Sequence, residues 1–203
     1  MKTLAFVFSL GLVAANFAAG QEVQRFTFDA GAGFTQPVGN TGRFLDNGWN
    51  AGVGAGMNFT NRLGAMVQFQ FNDMGINSTT LNNIGVPGGN VDIWSLTIDP
   101  RVHLMPKGPV DIYLVGGGGL YHRYQQFTAP GVGTGLGFFG FTPVPTTVVL
   151  ASSSINKPGY NVGAGVAFGT RWHAKVFAEA RWDHMFINNY HDDYIPVSFG
   201  VTF

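Results

Sequence analysis

The sequence has 203 residues, zero formal net charge and no cysteine, with glycine at 30 and phenylalanine at 19. Charged residues make up only 11%, against roughly 25% in soluble domains. That balance offers nothing to a nucleic acid or a polybasic membrane contact, and it excludes disulfide and thiolate chemistry; one domain with a sizeable core is expected.

The chain opens with Met1-Lys2, an apolar run over residues 4–15, and the small residues Ala18-Ala19-Gly20 before Gln21. This is the layout of a secretory signal peptide over residues 1–20, cleaved after Gly20. The run is short of the ~20 residues a membrane-spanning helix needs. Residues 21–203 are then expected as one exported domain without a transmembrane helix.

From residue 24 the dominant hydrophobic period is two, the signature of strands. Phe26, Phe28, Ala30, Ala32 and Phe34 alternate with Arg25, Thr27, Asp29, Gly31 and Gly33. A second segment sets Trp49, Val53, Met57 and Phe59 against glycines and Asn58; a third sets Leu63, Val67, Phe69 and Phe71 against Gln68 and Gln70. In the fourth, Trp94, Leu96, Ile98, Pro100 and Val102 oppose Ser95, Thr97, Asp99, Arg101 and His103. The fifth, residues 110–123, is glycine-rich and its register stays open. Tyr160, Val162, Val166 and Phe168 mark the sixth; Val176, Ala178, Ala180 and Trp182 the seventh, against Lys175, Glu179, Arg181 and Asp183. The eighth is the terminal stretch, with Ile195, Val197, Phe199, Val201 and Phe203 on one face. Pro100 and Pro196 lie inside strands and cannot donate to the ladder, so a bulge or an early strand end is expected at each.

Each segment is about 10 to 13 residues, where a soluble strand averages about 5 or 6 and a tilted bilayer-crossing strand needs about 9 to 11. The connections alternate long and short along the whole chain, as in transmembrane barrels with tight turns on one side and loops on the other. With that topology imposed, Phe34, Trp49, Phe71, Trp94, Tyr160 and Trp182 fall at the loop end of the apolar face, and Phe26, Phe59, Phe168 and Phe203 at the turn end. Two aromatic belts result, as at lipid headgroups. The fold expected is all-β: an eight-stranded antiparallel up-and-down transmembrane β-barrel with both termini periplasmic.

The charges sort to the other face. Arg25, Asp29, Asp99, Arg101, Lys175, Glu179, Arg181 and Asp183 all point away from the apolar side. A charge facing lipid would cost up to ~2–4 kcal/mol at mid-depth, so these eight are expected in the lumen. Eight strands leave room only for side chains, and charges so confined should pair. A filled interior is expected, with no open pore.

Several other strings carry chemistry-bearing residue types. "GLGFFG" (Gly135 to Gly140) matches a dinucleotide fingerprint but lacks the strand before and the helix after it. His191, Asp192 and Asp193 with His184 are metal-ligand types, equally at home in a polar loop. Ser152 to Ser154 with His184 or His191 are nucleophile and base types, and Glu179, Arg181 and Asp183 an acid/base set that reads more simply as a structural network. The connection over residues 124–159, about 36 residues, exceeds ordinary loop lengths. Its middle is apolar and β-prone, so it either extends strands five and six as a hairpin or offers a surface to a partner.

Three stretches, "YLVGGGGLYHR" (Tyr113 to Arg123), "VFAEARWDH" (Val176 to His184) and "IPVSFGVTF" at the end, resemble the small outer-membrane β-barrel family, of the type found in the transmembrane domain of outer-membrane protein A and its short relatives. The resemblance covers residues 21–203 and implies bacterial outer-membrane localisation, with the lipid bilayer as surroundings and the barrel-assembly machinery as a partner during biogenesis. It also implies that Phe203 is part of the signal which that machinery reads. No peptidoglycan-binding domain follows the barrel, so no cell-wall tether is expected. The function expected is non-enzymatic, envelope-structural or surface-interacting through extracellular loops, without a cofactor. The rivals are a barrel enzyme acting on outer-leaflet lipid and a narrow channel.

Overall fold

A computed structural model describes residues 26–106, 108–137, 140–169, 174–187 and 190–203. The expected signal peptide and Arg25 lie outside the described residues. Eight strands follow one another: β1 (Phe26–Val38), β2 (Gly48–Asn58), β3 (Leu63–Gly75), β4 (Gly88–His103), β5 (Val110–Gly137), β6 (Gly140–Gly169), β7 (Lys175–Ile187) and β8 (Tyr190–Thr202). Each pairs antiparallel with its chain neighbour, and β8 returns to β1, so the sheet closes on itself. Closure leaves no edge in the barrel wall, the condition for a sheet to cross hydrocarbon with every backbone group paired.

The period-two pattern dictates which side of the wall each residue takes. Phe28, Val53, Leu96, Ile98, Val162 and Phe199 are exposed on the outside, while Asp29, Asn50, Thr97, Asp99, Asn161 and Arg181 are buried inside. At the outer end, ring contacts join Trp49 to Phe71 (5.1 Å), Phe71 to Trp94 (5.3 Å) and Tyr160 to Trp182 (5.6 Å) between centroids. The indole N–H of Trp49 donates to Asp73 Oδ2 at 3.1 Å, a polar tip on an apolar body suited to the headgroup level. Phe59, Phe168 and Phe203 stand exposed at the opposite end.

Inward glycines make room for large neighbours. A Cβ on Gly165 would lie 2.4 Å from the Tyr113 ring, and one on Gly200 would lie 2.8 Å from the Phe177 ring. Both rings therefore need a bare backbone opposite.

The structure corrects the expectation at the two prolines. Ala65 still pairs with Pro100 and Thr35 with Pro196, and neither strand stops. The ladder to the other neighbour lapses for two residues, between Ile98↔Gly118 and Arg101↔Val115 for Pro100, and between Ala180↔Val197 and Asp183↔Tyr194 for Pro196, with the register unchanged across each gap. A missing donor on one side is absorbed without an inserted residue.

Of the two readings of the long connection, the hairpin extending strands five and six is the one that forms. Residues 124–137 and 140–159 pair as one hairpin: β5 has 28 residues and β6 has 30, where every other strand has 11 to 16. β4 accompanies β5 only to Gly88↔Thr128, and β7 accompanies β6 only from Gly159↔Met185. Beyond those pairs a two-stranded ribbon stands alone. A register shift at Phe127/Thr128, which leaves Leu150 without a partner, marks the departure; such bulges sharpen twist where a strand leaves its sheet. The β3–β4 connection folds into a short helix, α1 (Ser78–Ile84), with Asn77 Oδ1 accepting from the N–H of Thr80 and Gly85 closing the other end at φ 70°. The β1–β2 connection contains one 3-10 turn, Thr41–Arg43.

Candidate functional site

The lumen is built in layers. At its centre, Arg101 (β4) reaches Asp29 (β1) at 2.9 Å and Glu179 (β7) at 3.4 Å, and its guanidinium lies 4.5 Å from the centre of the Tyr113 ring. Arg181 (β7) contacts Glu179 at 2.5 Å and Asp99 (β4) at 2.7 Å, and it donates to Gln68 (β3). Neutral donors add to the carboxylates' bonds: Thr202 to Asp29 (2.6 Å), Thr97 and Asn161 to Asp99 (2.8 and 2.9 Å), and Tyr121 to Asp183 (2.7 Å). Six of the eight charges expected inside, Asp29, Asp99, Arg101, Glu179, Arg181 and Asp183, are thus brought together and buried. Lys175 sits at the rim, its side chain 43% exposed and 4.0 Å from Asp111.

Alternation also hid some lumen groups. Asp111, on the fifth strand whose register was open, is buried and bonds His103 at 2.6 Å. Phe177, with Tyr113 and Ala167, forms a small apolar cluster nearer the end with the short turns. Above the charges the interior turns apolar: Leu45, Met74, Ile76, Val91, Ile93, Tyr121, Met185 and Tyr194 pack into one buried cluster. The signal was available in the same parity, because Met74, Val91, Ile93 and Met185 occupy inward positions of strands that run further outward than the apolar segments. Inside the lumen, beside Arg101, His103 and Tyr113, lies a cavity of about 60 Å³, enough for a few waters.

The remaining candidates fall at the end of the barrel that carries the β5–β6 ribbon. Asp193 accepts from His184 Nδ1 at 2.7 Å and lies 3.1 Å from His191 Nε2, and the two imidazoles stack at 5.0 Å. One carboxylate thus bridges two rings, and no group of three or more such side chains placed to hold a metal occurs among the described residues. Ser152, Ser153 and Ser154 lie on the ribbon opposite Gln126, Gln125 and Tyr124; among the described residues no hydrogen bond joins them to His184 or His191, which face Asp193. Of the "GLGFFG" string, Gly137 pairs antiparallel with Gly140 at the ribbon's tip, and β6 follows in place of a helix; Phe138 and Phe139 lie outside the described residues.

The ribbon is the largest feature outside the barrel. From Thr128 to Asn156 the sequence contains no Asp, Glu, Lys, Arg or His, and Val132, Val148, Val149 and Leu150 are exposed on the ribbon. From Tyr160 in the aromatic belt to Gly140 at the tip, β6 runs roughly 65 Å along its own length. Around its base, the β1–β2 connection, α1, β5 and β8 enclose a mouth in which Arg123 meets Asp192 at 2.8 Å. Burial there pushes the Asp192 carboxyl above its usual range, and Arg123 beside it works in the opposite direction.

A family model described as outer membrane protein beta-barrel domain matches residues 4–203. No curated protein matches the sequence. Among solved structures, the chain is similar to neisserial surface protein A, at 16% identity and a TM-score of 0.58, covering 87% of this chain and 95% of that one. It is similar to Ail, the attachment invasion locus protein of Yersinia pestis, crystallised with the heparin analogue sucrose octasulfate (18%, 0.53, 89% and 100%). A major outer membrane protein from Thermus thermophilus is a third (12%, 0.58, 88% and 98%). At these identities the likeness speaks to the fold.

Proposed function

Because this chain belongs to the outer-membrane β-barrel domain family, we propose that it is a non-enzymatic outer-membrane protein that engages other surfaces through its extracellular β5–β6 ribbon. The observation that carries this reading is the ribbon itself. Two strands of 28 and 30 residues exceed the ~9–11 a crossing needs, and their excess is ordered β-structure with open edges. An exposed edge presents unpaired N–H and C=O groups, a template for an added strand. An enzyme would need acid, base or nucleophile groups in reach of one another; the ribbon carries no Asp, Glu, Lys, Arg or His over residues 128–156, and its serines make no bond to His184 or His191 among the described residues.

Attachment is the role named for Ail, and surface attachment as a class suits this architecture. The sulfated ligand crystallised with Ail does not carry over to the ribbon, which has no cation over residues 128–156 with which to hold a polyanion. We take the ribbon's partner to be a protein surface that offers an extended strand and apolar side chains. An exported protein with residues 1–20 as its signal peptide, assembled by the barrel machinery through Phe203, completes the reading.

The test compares bacteria displaying the full chain with bacteria displaying a chain whose residues 129–150 are replaced by an Asn-Gly turn. Retention on beads coated with extracellular-matrix protein is measured, with the heat-dependent gel shift of the barrel as the folding control. Retention should fall to the level of cells lacking the protein while the gel shift persists. Undiminished retention by the shortened chain contradicts the reading.

A further inference from the structure

At the extracellular mouth lies a cavity of about 480 Å³, within the range of small-molecule sites. Its walls come from four parts of the chain: the β1–β2 connection, the β3–β4 connection, β5 above the barrel, and the start of β8. The walls are tied together before any ligand arrives. The N–H of Asp193 donates to Thr41 Oγ1 at 3.0 Å, fixing the 3-10 turn to β8. Asn77 holds the same connection from the other side, its N–H donating to the carbonyl of Phe44 at 2.9 Å and its Nδ2 to the carbonyl of Arg43 at 2.5 Å. Leu45 and Ile76 form an isolated bridge beneath them. A site so braced loses little conformational freedom on binding.

The lining divides into two chemistries. Leu45 and Ile76 belong to the buried apolar cluster that seals the lumen, so the cavity has an apolar floor and ends there; Phe44 and Tyr190 add aromatic surface, both about half exposed. On the polar side stand two guanidinium groups, Arg43 and Arg123, against a single carboxylate, Asp192. Arg123 is engaged with Asp192 at 2.8 Å, yet neither facing atom makes an aligned hydrogen bond. Arg43 makes no ion pair among the described residues, whereas Arg101, Arg123 and Arg181 each make one or more. The surplus charge in the cavity is therefore positive, and it borders apolar surface.

We propose that this cavity binds a small amphipathic organic anion, with its carboxylate or similar group on Arg43 beside Arg123 and its apolar body on Phe44, Leu45 and Ile76. An inorganic anion would leave the apolar floor wet, and a neutral or cationic molecule would gain nothing from Arg43, which is exposed and otherwise hydrated. A polymer is excluded by the closed floor and by the volume. The site is distinct from the ribbon surface and takes a small molecule in place of a macromolecular partner. Guanidinium groups favour carboxylates through charge-assisted hydrogen bonds, and the apolar body adds affinity in proportion to the area it removes from water.

The experiment uses the whole folded protein in lipid nanodiscs and isothermal titration with 2-naphthoate, with 2-naphthamide as a neutral molecule of the same shape. Empty nanodiscs report partition into lipid. Saturable binding of the acid at one site is expected, with the amide weaker by about tenfold or more. Arg43→Gln should lower affinity for the acid by about as much and leave the amide unchanged, whereas Arg62→Gln, in the turn at the opposite end, should change neither. Binding of the acid no greater than to empty discs overturns the proposal, and so does equal affinity for acid and amide or an unaltered affinity in Arg43→Gln. The comparison of acid with amide on the unsubstituted protein decides the matter even if the variant does not fold.

Discussion

Arg181 is the side chain on which the lumen's charge balance depends. It holds Glu179, Asp99 and Gln68 together while only 4% of its side chain is exposed. Removing one partner of a buried pair leaves the others uncompensated, at a cost of about 3–5 kcal/mol. Arg181→Met should therefore lower the stability read from the urea dependence of the heat-shifted band by an amount of that order. Lys175→Gln should change the same stability by less than about 0.5 kcal/mol, because a rim charge is screened by water. At this scale the parity of each strand was enough to place Asp29, Asp99, Arg101, Glu179, Arg181 and Asp183 inside. Parity says nothing of partners, though: that Glu179 would serve both arginines, or that Tyr121 would bond Asp183, depends on how far each strand is staggered around the barrel.

Among the elements, β8 carries two separable roles. The backbone of Phe203 bonds that of Phe28 in both directions, at 2.9 and 3.1 Å, while its side chain is 54% exposed. Substitution by alanine keeps the backbone pair and removes only the ring. If the ring is read by the assembly machinery, Phe203→Ala should reduce the amount of folded protein reaching the outer membrane several-fold, while refolding of the purified chain into detergent proceeds as for the unsubstituted one. Equal loss in both settings would assign the ring to packing alone. Strand identity, order and the two aromatic belts could be read from the sequence, because lipid demands a strict alternation that is hard to mistake. The ribbon was legible only as one of two alternatives: residues 128–147, rich in Gly, Pro and Thr, carry β-prone and turn-prone residues alike, and only pairing across the hairpin decides. The prolines misled for a related reason, since a closed sheet can omit two rungs toward one neighbour while the other ladder holds the register.

Taken as a whole molecule, the barrel is a sealed post that presents structure outward. Its centre is charged and paired, and the outer half of its lumen is filled by the cluster around Met74, Ile93 and Tyr194. The pattern of inward apolar residues at the strand tops is hidden if strands are taken to end at the aromatic belt, where in fact β3, β4, β7 and β8 continue past it. Eight strands enclose just enough space for side chains, and both layers occupy it. A lumen so filled supports the proposal that the protein acts at its extracellular surface. Purified protein reconstituted into a planar lipid bilayer tests this most directly. The sealed lumen predicts no current above the bare membrane under an applied potential, with insertion verified by protease protection; discrete, reproducible conductance steps from the inserted protein would contradict it.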